Sequence, residues 1–181
     1  MIFDQTCNTL ERQERSAERH ALLEQLVGIF QNSFPNLSFR VIDRVNAVNA
    51  QASILNDVRS VNLFGGLAYH PKIGRDALVF ILLHETGHHL SRGCRSPWMP
   101  QLACDCAADS WAVSEGRAEL QKSNCGFDVT RALRQIESAA NLKSGVSKRV
   151  GRPKCSFLNW TKRKRRLIDG EANVRKTCGI I

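Results

Sequence analysis

At 181 residues the chain is long enough to bury one good core, and its composition, 43% apolar and 24% charged, fits a single soluble domain with a tail. The longest apolar stretch is far too short to cross a bilayer, so a membrane-spanning segment is excluded as an expectation. The net charge of +9 is unevenly placed: residues 1–142 hold 14 Lys+Arg against 15 Asp+Glu, whereas residues 143–181 hold 12 against 2. The expected organisation is therefore a nearly neutral domain over residues 1–142 and a basic extension over residues 143–181, partly packed on it.

In chain order, no apolar leader follows Met1, because Ile2-Phe3 gives way at once to Asp4 and Gln5. As written the chain carries no export address, which places it in the cytoplasm; an exported mature form stripped of its leader is the alternative. Residues 10–32 predict an amphipathic helix, with Leu10, Ala17, Leu23, Leu26, Val27 and Phe30 at helical spacing, ended by Pro35-Asn36. Leu37 to Ile42 alternates as a strand does. Residues 45–67 predict two more short strands around Asn56-Asp57. Pro71 and Gly74 make a turn, and the apolar run Ala77-Leu78-Val79-Phe80-Ile81-Leu82-Leu83 predicts a buried helix over 75–91. Gly93, Pro97 and Pro100 break the chain before a second buried helix, 101–121, and a third is expected over 128–142.

The first of the buried helices ends in His84-Glu85-Thr86-Gly87-His88. Residues four apart lie one turn up the same helical face, so both imidazoles can reach one ion, while Glu85 lies beside that face and can hold the water that the ion activates. Three of the five histidines, His84, His88 and His89, crowd into six residues behind an apolar run. Gly87 costs a helix interior roughly 1 kcal/mol relative to alanine, which points to a neighbour packed close at that position. A catalytic zinc site takes three protein ligands and keeps one position open. Asp105 is the expected third ligand. Asp109, four residues on, is expected to take the free N–H of a liganding imidazole.

These pieces resemble the gluzincin-type zinc peptidases, in particular the HtpX-like and CAAX-prenyl-protease-like family. The match runs over residues 40–115: Asn46-Ala47, then Ser60-Val61-Asn62-Leu63-Phe64-Gly65-Gly66-Leu67, then His84-Glu85-Thr86-Gly87-His88, then Asp105-Cys106-Ala107-Ala108-Asp109. Asp105 stands where the family has glutamate, one methylene longer, and the multiple membrane spans of many members are missing. The resemblance implies an α+β, zincin-like fold. Its small, mostly antiparallel sheet would have an edge strand packed on the His-Glu-x-x-His helix, with a second metal-ligand helix beyond. It also implies binding of a peptide as an added strand, with Val61 to Leu67 as that edge and Phe64, Gly65 and Gly66 close to the substrate backbone. Tyr69 or His70 would then hydrogen-bond the developing oxyanion.

The expected function is thus a metalloendopeptidase in which Zn2+, held by His84, His88 and Asp105, activates water, with Glu85 as general base and a protein or peptide as substrate. Two other classes compete. The run Lys162-Arg163-Lys164-Arg165-Arg166, near Phe157 and Trp160, can bind nucleic acid, an anionic membrane surface or an acidic protein, which would make this a regulator carrying a peptidase-like domain. The bland reading of that run is a solvated face on a final helix. Zinc can also be a staple for a non-catalytic core. Seven cysteines, Cys7, Cys94, Cys104, Cys106, Cys125, Cys155 and Cys178, leave at least one thiol without an intramolecular partner. Cys104 and Cys106 flank Asp105 and point away from it, so packing or disulfide roles are expected of them rather than zinc ligation.

Overall fold

The computed structural model describes residues 16–140 and 160–168. Helix α1, Ala17–Ser33, starts where the Ser16 hydroxyl accepts a hydrogen bond from the Arg19 N–H, and it buries Leu23, Leu26 and Phe30. Three strands follow: β1 (Ser38–Ile42), β2 (Ala50–Leu55) and β3 (Val58–Phe64). Between β2 and β3, Asn56 and Asp57 both take positive φ, 49° and 63°, which is the two-residue turn that suits a twisted hairpin and that these residue types tolerate. The sheet order is β1-β3-β2, with β1 parallel to β3 and β2 antiparallel to it. The sheet is therefore evenly mixed rather than mostly antiparallel: after β1 the chain crosses to the far edge before the hairpin returns β3 to the centre. Alternation along the strands turns Phe39, Ala50, Ala52, Val61 and Leu63 into the core and leaves Arg40 and Gln51 in solvent.

A short helix α2 (Gly65–Ala68) leads to the central helix α3 (Arg75–Leu90). Fourteen of the sixteen residues of α3 are buried, so it has no solvent face: it packs on the sheet on one side and on later helices on the others. The expected second helix is two. α4 (Asp105–Val113) stops at Ser114, whose hydroxyl bonds back to the Ser110 carbonyl and whose φ and ψ of −112° and −96° are not helical. α5 (Glu115–Lys122) then sets off in a new direction, and α6 (Val129–Ala139) is capped by Asp128. Helix α7 (Trp160–Ile168) lies against α4 and α6, and its Leu167 joins the main core. The chain is α+β. Among the described residues no helix is long and apolar enough to cross a membrane. The parts of the expected first helix and basic extension that fall in residues 1–15, 141–159 and 169–181 lie outside the described residues.

Candidate metal centre

Two helices and one loop build the centre. On α3, His84 and His88 are one turn apart, and their Nε2 atoms point at each other across 3.1 Å. Asp105, the first residue of α4, brings its Oδ1 to 3.7 Å from His84 Nε2 and 3.6 Å from His88 Nε2. Three donors at zinc-ligand distances on a tetrahedral ion would be spaced by about 3.3–3.6 Å. His84, His88 and Asp105 are thus a group able to hold a metal ion, buried except for partial exposure at Asp105.

The α3–α4 approach is close because Gly87 carries no side chain where Ala108 and Trp111 of α4 press on it. A Cβ on Gly87 would meet the Ala108 carbonyl oxygen at 2.8 Å and its Cα at 3.0 Å, so only glycine allows the contact that brings Asp105 within reach. The α4 start is held as tightly. The Ala103 N–H donates to the His88 carbonyl at 2.7 Å, and the His88 Nδ1–H donates back to the Ala103 carbonyl at 2.7 Å. A disulfide joins Cys94 to Cys104, the residue capping α4 just before Asp105. Cys106 is buried, and no sulfur belongs to the His84–His88–Asp105 group.

Proton positions follow from these partners. The Ala103 oxygen can only accept, so the single proton of neutral His88 sits on Nδ1 and its Nε2 is a bare lone pair. Burial, with the neighbouring His84, pulls the His88 pKa down to about 4 and keeps the ring neutral. The His84 Nδ1–H donates to Asp109 Oδ1 at 2.8 Å, so its Nε2 also faces inward. Burial works against protonation of His84, but Asp109 and Asp105 outweigh it and raise its pKa. Asp105 and Asp109 are both held well below the usual carboxylate range despite burial, Asp105 by His84 and Asp109 by Arg163 and His84. With His84 neutral, two ring nitrogens and a carboxylate oxygen converge, an arrangement that a cation satisfies; without a cation, the raised pKa of His84 favours a proton on its Nε2 in that place.

Glu85 turns from the cluster toward the sheet. Glu85 is 2% exposed, its Oε2 accepts from the Ala52 N–H on β2 at 2.8 Å, and its Oε1 is buried with no hydrogen-bond partner among the described residues. One turn later His89 donates from Nε2 to the Ser60 carbonyl at 3.0 Å, fixing the same helix to β3.

The expectation for the substrate edge is corrected here. The strand at the edge beside α3 is β2; Val61 lies on the central strand, paired on both sides, so it cannot accept an added strand. Phe64 ends that central strand, while Gly65 and Gly66 begin α2 and press on their own chain: a Cβ would meet the Asp43 oxygen at 2.5 Å and the Asn46 oxygen at 2.3 Å. Their smallness serves internal packing rather than a substrate. Tyr69 and His70 are engaged elsewhere. The Tyr69 hydroxyl donates to Asp43 at 3.1 Å and lies 3.3 Å from His20, on the β1 side of the sheet, and His70 Nδ1 accepts from the Lys72 N–H at 3.1 Å.

Arg163, from the basic run, stands beside the cluster in a place that the sequence concealed. It is 6% exposed and clamps Asp109, Nε to Oδ2 at 2.7 Å and the second guanidinium nitrogen to Oδ1 at 2.7 Å. Its neighbour Lys164 pairs with Glu137. The one hint in the sequence is that Arg163 and Leu167 are four apart and so share a helix face. Comparison with protein-family models, with curated proteins and with solved structures gives no match to this chain.

Proposed function

We propose that the protein is a zinc-dependent peptidase with a zincin-like arrangement, its ion held by His84, His88 and Asp105 and its general base supplied by Glu85. The observation that carries this reading is the Glu85 carboxylate: buried, anchored through one oxygen to Ala52, with the other oxygen lacking a hydrogen-bond partner among the described residues, and with its charge felt by both His84 and His88. A metal staple has no use for such a group, and an unpaired carboxylate oxygen in a core is costly unless a water or substrate proton meets it. When bound, zinc supplies Lewis acidity and brings the pKa of its water toward ~7.

The residues divide the remaining labour. Glu85 Oε1 accepts the proton of the attacking water and delivers it to the departing amine nitrogen. The Ala52 N–H holds Oε2, so the carboxylate cannot swing away between those two transfers. Asp109 and the Ala103 carbonyl fix the two imidazoles with their Nδ1 protons turned outward. The Ala52 N–H points away from β3, so the outer side of β2 is the side that Glu85 borders. A peptide laid along that edge as an added strand brings its carbonyl to the base.

The test is a peptide-library digest with the zinc-loaded protein, read by mass spectrometry. Cleavage is expected from the parent, with a loss of about 10²-fold or more in Glu85→Gln and an unchanged zinc content. Equal cleavage by Glu85→Gln would remove Glu85 as base. Full zinc content with no cleavage of any peptide by the parent would leave only the staple.

A further inference from the structure

We propose that Arg163, delivered by the C-terminal helix α7, is a positioning residue of the metal centre that acts on His84 through Asp109. The inference rests on the metal reading above and adds that the ligand set is incomplete without the tail.

Asp109 alone is an ambiguous neighbour. It lies one turn along α4 from Asp105, and a carboxylate on a single bond can rotate either to the imidazole Nδ1–H or toward the ion. The structure removes that freedom with three donors. His84 Nδ1–H and one guanidinium nitrogen of Arg163 both reach Oδ1, at 2.8 and 2.7 Å, while Arg163 Nε reaches Oδ2 at 2.7 Å. The fork geometry of the guanidinium fixes the plane of the carboxylate as well as its position. With Asp109 held in this plane, His84 must place its proton on Nδ1 and its lone pair on Nε2, facing His88 and Asp105.

Both charges are buried, Asp109 at 4% and Arg163 at 6% exposure, so each answers the other and neither has water to fall back on. A solvated basic stretch has no reason to send one member into the interior. Leu167, on the same face one turn on, packs into the core and holds α7 in the register that Arg163 needs. The basic run is thereby divided: Arg163 belongs to the metal centre, while Lys162 and Arg165 are exposed.

The experiment measures zinc affinity by competition with a chelating dye for the parent, Arg163→Met, Asp109→Asn and the double variant, with far-UV circular dichroism as a check of fold. Arg163→Met is expected to weaken zinc binding at least tenfold. In the Asp109→Asn background the same change is expected to weaken it no more than about twofold, because the path through Asp109 is already cut. Arg163→Met within twofold of the parent, or losses that multiply in the double variant, would overturn the proposal; the latter is what mere packing of α7 would give. A parent without zinc affinity would overturn the metal reading itself and this inference with it.

Should Arg163→Met not fold, reciprocity supplies a measurement on the parent. Zinc is expected to slow tryptic cleavage within residues 162–166 at least threefold in the parent and not in Asp109→Asn. Equal protection in both, or protection in neither, would overturn the proposal.

Discussion

Asp105 and Asp109 stand one helical turn apart with opposite duties, and their partners decide which is which. Asp105 has Oδ1 turned to both histidine Nε2 atoms, whereas Asp109 is spent on His84 Nδ1 and Arg163. Asp105→Ala is accordingly expected to abolish stoichiometric zinc binding. Asp109→Asn, which removes the charge that holds His84 and Arg163, is expected to weaken binding about 10–100-fold, both read by dye competition. A reversed order would exchange the two roles. Cys106 gives a second residue-level test. Burial, with Asp109 nearby, pushes its thiol up to about 12. The fold therefore favours the protonated thiol, and this contribution is complete below an unfolded pKa near ~8.5 and lost as the pH rises toward 12. Iodoacetamide at pH 8.5 is expected to spare Cys106 in the native protein and label it after unfolding, as peptide mapping will show. At this scale the grouping of His84, His88 and Asp105, and the place of Asp109 beside His84, were legible, because side-chain spacing on a helix is written in the sequence. The Ala52 N–H and the Ala103 carbonyl were not, since main-chain partners depend on which strand and loop arrive there.

Among the elements, the α3–α4 contact sets the geometry, and Gly87 sets the contact. Alanine raises helix propensity by roughly 1 kcal/mol, but its Cβ would sit at 2.8 Å from the Ala108 oxygen, a backbone atom that cannot step aside cheaply. Overpacking of this kind costs about 1–3 kcal/mol, so Gly87→Ala is expected to lower the melting temperature and to weaken zinc binding together, as α4 and Asp105 are pushed outward. A raised melting temperature with unchanged affinity would show that the helices have room to spare. The boundaries of β1 and α3 and the end of α1 followed from apolar period and turn residues, whereas α1 starts only at Ala17, because extended Ser16 caps it, and α6 stops at Ala139, short of the expected residue 142. The strand roles did not. The pattern in residues 45–67 marks two strands, yet nothing local says that the second goes to the middle of the sheet and the first to its edge. That choice comes from β3 pairing in parallel with β1, a contact between residues some twenty apart in the sequence.

The molecule as a whole closes its metal centre with its far end. Arg163 and Asp109 form a buried pair linking α7 to α4, and removal of one partner leaves the other charged and dry, at a cost of about 3–5 kcal/mol. Deletion of residues 143–181 is therefore expected to destabilise the domain by several times the ~0–1 kcal/mol of a surface ion pair, read by urea denaturation. Adding Asp109→Asn to the truncated chain is expected to recover part of that loss, since no buried charge then remains. A truncated chain as stable as the parent would show that the tail merely rests on the surface. Composition marked this segment as basic, and charge alone reads as solvent or an anionic partner; which face of α7 turns inward is settled only by the core it meets.

The central claim is that one divalent cation sits between α3 and α4. The most direct measurement is elemental analysis of the protein purified without chelators, alongside His88→Ala. The account expects close to one equivalent of zinc per chain in the parent and almost none in the variant. A metal-free parent, or a variant carrying the same metal as the parent, would contradict it.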